Sequence, residues 1–127
     1  MAKVLIVDDE PAYCRSIAIQ LSDDGHETES ATTAAEAIKI GKRFVPNVLV
    51  IDWIIRDSRG GLQLAAEIHG VNPGLRTILM TGFPIEAVEH EVVEGEVVCL
   101  VSKPFTLDEI SQAVSLAAAN GPRGTLE

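Results

Sequence analysis

Long apolar runs are missing from this sequence. None approaches the roughly 18 residues that a bilayer-spanning helix needs, and the apolar start lacks the basic region and cleavage site of a secretory leader. Both absences argue against a membrane or exported protein. Cysteine is scarce as well: Cys14 and Cys99 lie far apart and match no zinc or redox spacing. They read as reduced, buried thiols in a cytoplasmic protein. Basic residues are outnumbered, with 10 Lys and Arg against 19 Asp and Glu and a formal net charge of −9. That balance argues against direct nucleic-acid binding. It suits basic partners or divalent cations.

What remains is sufficient for one domain. The 127 residues are 46% apolar, too apolar for a disordered chain and long enough for a single core. The expected domain covers residues 1–120. Residues 121–127 read as a C-terminal tail, whether a linker, a free end or in part a cloning scar at Leu126-Glu127.

Two periodicities alternate along the chain. Continuous β-rich runs at 4–7, 48–51, 77–80 and 97–101 predict strands covered on both faces. A weaker strand is expected over 27–31. Between them lie helical patterns: Cys14, Ile17, Ala18 and Leu21 after Pro11; Ala34, Ala37, Ile38 and Gly41 after a Thr33…Glu36 capping box; Leu62, Leu64, Ala65 and Ile68. A fourth helix is expected over 84–93. A fifth, with Ile110, Ala113, Val114 and Ala117, follows a second capping box, Thr106…Glu109. Strand and helix alternate five times, which predicts an α/β fold, a doubly wound parallel sheet with helices on both faces.

In such a sheet ligands bind beyond the carboxyl ends of the strands. The stretch "VLIVDDEP" ends the first strand in Asp8 and Asp9; the third ends in Asp52, the fourth in Thr81, the fifth in Lys103. Singly, each has an ordinary explanation as a cap, a turn residue or a solvated lysine. Jointly they do not. Carboxylates ~4 Å apart repel by about 4 kcal/mol at an effective dielectric near 20, more than one lysine offsets. A proton or a metal ion must sit among them. All-oxygen ligands with room for water suit Mg2+. Asp52 then supplies a carboxylate nucleophile, Lys103 and the metal neutralise phosphoryl oxygens, and Thr81 donates a hydrogen bond beside the small Gly82.

These motifs, "VLIVDDEP", "VLVIDW", "GGLQLA", "ILMTG" and "SKPFTLDEI", resemble in order and spacing the receiver domain of two-component response regulators, over about residues 3–119. The resemblance implies a flavodoxin-like five-stranded sheet in the order 2-1-3-4-5. It implies Asp52 as phosphoacceptor, Asp8 and Asp9 as Mg2+ ligands with Asp9 the more direct, and the Ile54 backbone carbonyl as a further ligand. Thr81 becomes the switch hydroxyl and Lys103 the phosphate-pairing cation. The donor is a phosphohistidine on a histidine kinase or phosphotransfer protein. The output partner is unspecified, and a phosphorylation-dependent dimer is one arrangement of such switches. The domain assists only its own phosphorylation and dephosphorylation.

The sequence also departs from the family pattern. Ile55 and Arg56 replace a common Met-Pro, and the loop from 52 to 61 looks one residue longer. Leu100 stands at the switch position usually held by an aromatic three residues before the lysine. A ring swinging inward is therefore unavailable, and packing near Leu100 and the fourth helix must report the change instead. Around that helix Glu86, Glu89, Glu91, Glu94 and Glu96 form an acidic region, either a dock for a basic surface or a solvated face. Two other functions stay open: a receiver-fold docking scaffold working without phosphorylation, and a hydrolase of the haloacid dehalogenase type, with Asp8 as nucleophile and Glu10 two residues on. The chain is read as either stand-alone or cut from a longer regulator or hybrid kinase.

Overall fold

The computed structural model describes residues 2–55, 60–88 and 97–119. The elements alternate as β1 (Lys3–Val7), α1 (Pro11–Asp23), β2 (Glu27–Ala31), α2 (Ala34–Phe44), β3 (Val48–Asp52), α3 (Gly61–Val71), β4 (Arg76–Thr81), α4 (Ile85–Val88), β5 (Val97–Ser102) and α5 (Leu107–Ala119). All five strands are parallel, in the order β2-β1-β3-β4-β5. Among the described residues no helix is long and apolar enough to cross a membrane.

The continuous apolar runs are explained by two cores. Val4 and Ile6 of β1, Val48 and Val50 of β3, and Ile78 and Met80 of β4 face one side. There they meet Cys14, Ile17 and Leu21 of α1 and Ile110, Ala113, Val114 and Ala117 of α5. The alternate residues Leu5, Val7, Leu49, Ile51 and Leu79 face the other side, against α2 and α3. Side chains of a strand alternate between faces, so a strand buried on both must be apolar throughout. Edge strand β2 has only Ala31 fully buried, which is why its pattern is weak.

Local signals set the ends. Pro11 occupies the first turn of α1. Thr106 and Glu109 form a full reciprocal box at α5: the Thr106 hydroxyl accepts from Glu109 N–H at 3.1 Å, and the Glu109 carboxylate accepts from Thr106 N–H at 2.9 Å. At α2 the reciprocity is displaced by one residue. Thr33 Oγ1 accepts from Glu36 N–H, but the Glu36 carboxylate reaches Thr32 N–H. The buried face of α2 also differs from the expected one: Ile40 and Phe44 are inside with Ala34, Ala37 and Gly41, while Ile38 is only half-buried. Cys14 is buried but Cys99 only half-buried, and both are free thiols. Of the expected fourth helix, residues 85–88 are helical; 89–93 lie outside the described residues, as do Arg56, four of the five glutamates around that helix and the tail 121–127.

Helix α2 ends at Val45, in the left-handed region with φ +51° and ψ +65°. A β-branched residue is strained there, by about 1–2 kcal/mol. Its side chain is 54% exposed, so burial returns little. Val45→Asn is expected to raise the unfolding free energy by about 1 kcal/mol, read as a higher urea midpoint at unchanged slope.

Candidate metal and phosphoryl site

The topology places the acids. The β1–β3 register pairs Val7 with Ile51, so the next residues on each strand, Asp8 and Asp52, leave the sheet side by side. They do so where the chain order reverses between β1 and β3, the crevice in which open parallel sheets hold ligands. One oxygen each from Asp8, Asp9 and Asp52 lies within 4.8 Å of the others. Lys103 arrives from the end of β5, its N–H donating to the Thr81 carbonyl at 2.7 Å. The Lys103–Pro104 peptide that follows is cis.

The lysine ammonium donates to Asp8 Oδ2 at 2.9 Å and stands 3.4 Å from Asp52 Oδ2. The other oxygen of Asp8 accepts the Glu10 N–H at 2.9 Å. Asp8 is fully buried, with both oxygens engaged. Asp9 and Asp52 are half-buried and face an open cleft of about 440 Å³, shared with Trp53, Ile54, Gly82, Phe83 and Lys103.

Electrostatics follow from that crowding. Burial, then the negative charge of Asp8, push the Asp52 carboxyl up to about 6, against the pull of Lys103. Burial works against the Lys103 charge. The Asp8 hydrogen bond and the charges of Asp52 and Asp8 outweigh it and hold the amine above the ordinary lysine value. One lysine does not neutralise the three carboxylates, and the remaining repulsion adds to burial in raising the Asp52 carboxyl. Burial, then Asp8, likewise push the Cys14 thiol up to about 11, leaving it an unreactive core residue.

The other expected positions are distributed differently. Thr81 is fully buried at the end of β4. Its Oγ1 accepts the Phe83 N–H at 2.9 Å, with the Phe83 carbonyl 3.4 Å away. Ile54 is 46% exposed on the cleft wall, whereas Ile55 is buried in the α2–α3 core. Leu100 lies outside the cleft. It pairs with Leu79 in the β4–β5 register and lines a shallow groove with Ile85 and Leu116. Two features were not anticipated. The Tyr13 ring covers the Lys103 ammonium, 4.0 Å from Nζ to centroid; nothing in the spacing of α1 singles that residue out. Gly61 presses the start of α3 against the Asp52 backbone, a closeness hinted at only by the glycine pair.

Comparison with known proteins bears on the family and the fold. The family model of the response regulator receiver domain matches residues 4–115. The chain belongs to that family. Among curated relatives, the transcriptional regulatory protein GlrR of Escherichia coli K12 is 27% identical over 126 residues, covering 99% of this chain and 28% of GlrR. The acid tolerance regulatory protein ActR of Rhizobium meliloti is 32% identical over 111 residues, 87% of this chain and 57% of ActR. This receiver domain thus spans only part of the length of those regulators. Among solved structures, the receiver domain of NtrX from Brucella abortus superposes with a TM-score of 0.83 at 28% identity, covering 91% of this chain and 98% of that one. A CheY-like receiver protein from Methanospirillum hungatei, with a TM-score of 0.82 at 23% identity, shares the fold. Receiver domains of this family are signalling switches of two-component systems.

Proposed function

We propose that this receiver domain accepts a phosphoryl group on Asp52 from a phosphohistidine of a histidine kinase or phosphotransfer protein, in a Mg2+-dependent reaction. The carrying observation is the gathering of three carboxylates within 4.8 Å around one lysine at the switch point of the sheet. The donor set is all oxygen, crowded and short of positive charge, which fits Mg2+ rather than a softer ion. Asp9, Asp52 and Asp8 would hold it, with the Ile54 carbonyl. Bound there, Mg2+ supplies charge neutralisation for the transferring group.

The residues of the chain divide the remaining work. An Asp52 oxygen forms the new O–P bond as the N–P bond of the donor breaks, the electron pair staying on the imidazole nitrogen. Lys103 turns its ammonium from the carboxylates to a phosphoryl oxygen. Thr81 redirects its hydroxyl proton to another. Because the Thr81 oxygen accepts the Phe83 N–H, its movement draws on the loop leading into α4. The added charge of about −1.5 to −2 biases that two-state element. Leu100 and Ile85 line one groove between α4, β5 and α5, so repacking there can carry the signal without an aromatic ring.

The test is direct. With acetyl phosphate and Mg2+ the wild-type chain should gain a hydroxylamine-labile phosphoryl group, and omission of the metal should prevent it. A chain that takes no label under either condition would point instead to a docking scaffold. The dehalogenase-type alternative has little support. Glu10 is exposed, and its backbone N–H rather than its carboxylate engages Asp8.

The lifetime of the acyl phosphate should depend on the cleft walls. Ile54 and Phe83 flank the acceptor, each 46% exposed. Both impede an attacking water. Ile54→Asn should speed dephosphorylation about tenfold, the effect of roughly 1.4 kcal/mol on a barrier; an unchanged decay of the label would show that Ile54 shields nothing.

A further inference from the structure

The cation of the site has a neighbour that no charge argument requires. Tyr13, in the first turn of α1, lies with its ring over Lys103 Nζ at 4.0 Å. The same ring meets Phe105, with centroids 5.8 Å apart and planes inclined at 51°. Phe105 is two residues beyond Lys103, so the turn that delivers the lysine also braces the ring that covers it. The ammonium is thereby held by two carboxylates and one aromatic face.

These restraints differ in kind. The carboxylates are expected to be drawn toward a divalent cation, and their hold on the lysine then weakens. A ring face attracts an ammonium through its quadrupole and binds no such cation. The lysine side chain is long and loses much rotamer freedom when fixed. A restraint that persists when the acids are claimed elsewhere keeps the ammonium beside the acceptor.

We infer that Tyr13 is a positioning residue for phosphoryl transfer: its ring holds the Lys103 ammonium beside Asp52 whether or not the acids are engaged. The inference rests on the reading of Asp52 as acceptor. Tyr13 acts through Lys103 and not on the acceptor oxygen or the donor. Its phenolic oxygen plays no part, so phenylalanine should serve as well. A role as mere wall of the cleft between α1 and α5, which Tyr13 lines with Ile17 and Leu107, would be met equally by leucine.

The experiment compares wild type, Tyr13→Phe and Tyr13→Leu in the full chain, with the rate of labelling from acetyl phosphate and Mg2+. Tyr13→Leu should slow labelling about three- to tenfold, as expected for loss of a partly desolvated cation–π contact, while Tyr13→Phe stays within about twofold of wild type. The second readout needs neither metal nor phosphate. The Lys103 ε-methylene proton resonances should be displaced upfield by the ring in wild type and Tyr13→Phe, and return to ordinary lysine positions in Tyr13→Leu. Should Tyr13→Leu fail to fold, Tyr13→Met offers a longer, more adaptable side chain without a ring. Equal labelling rates in wild type and Tyr13→Leu, a Tyr13→Phe as slow as Tyr13→Leu, or lysine resonances indifferent to the ring would each overturn the inference alone. A wild-type chain that takes no label would overturn the acceptor reading and this inference with it.

Discussion

Gly61→Ala is expected to lower the unfolding free energy by about 3 kcal/mol or more, among the larger costs of a single methyl group. A Cβ at this position would lie 1.8 Å from the Asp52 carbonyl oxygen and 2.8 Å from its carbon. Both are backbone atoms, so no rotamer change relieves the clash. The Gly61 N–H also donates to the Trp53 carbonyl at 2.8 Å, so α3 cannot retreat without breaking that bond. Its neighbour Gly60 adds a second constraint, with φ at +111°, where side chains are strained. The strand end carrying Asp52 must therefore shift, and labelling from acetyl phosphate should fall together with stability. Gly70→Ala is the control. It lies in the same helix with open space around the added methyl, and should instead stabilise by about 0.5–1 kcal/mol. Urea unfolding of the two variants, one below wild type and one above, decides the matter; equal midpoints would mean that the α3–β3 approach is softer than the structure indicates.

The contrast between those glycines marks the reach of sequence reading here. Asp8, Asp9, Asp52 and Lys103 were legible because a parallel sheet delivers strand ends to one edge, and each strand was a continuous apolar run with an obvious last residue. Periodicity also placed the inner faces of α1 and α5. It failed at Ile38 and Ile40: the buried set Ala34, Ala37, Ile40, Gly41 and Phe44 keeps steps of three and four, but the stripe is turned so that Ile40 faces inward and Ile38 lies at its margin. The aim of the Thr81 hydroxyl was hidden, because a hydroxyl turns to whichever backbone group is nearest. Tyr13 was invisible for a related reason. It meets Lys103 across 90 positions of sequence, through the placing of a helix against a turn, and no local pattern encodes that distance.

Asp52→Asn should abolish labelling and, without divalent cation, make the chain more stable than wild type at neutral pH. Loss of label follows because an amide is no acceptor for an acyl phosphate. The gain in stability follows from linkage. The Asp52 carboxyl is pushed up from its ordinary value of 3.8 to about 6 in the fold, first by burial and then by Asp8. Below the lower value it is protonated in both states and costs nothing. Between the two the folded chain binds more protons, so stability falls as pH rises. Above the upper value the folded state carries an unfavourable charge worth at most about 3 kcal/mol, at about 1.4 kcal/mol per pH unit, and less to the extent that water in the open cleft screens it. Asparagine removes that term, so thermal unfolding of Asp52→Asn should exceed wild type at pH 7.5 and converge with it near pH 4. Added Mg2+ should close most of that gap. A ligand that binds only the folded state stabilises it by about 2.7 kcal/mol at a hundred times its dissociation constant, and the variant has lost one of the carboxylates that hold it. Wild type should therefore recover on titration with Mg2+ while the variant responds weakly. The same acidic crowding that destabilises the resting fold would then supply the affinity for the cation. A variant that is no more stable than wild type at pH 7.5, or that responds to Mg2+ as wild type does, would dissolve that link between strain and binding.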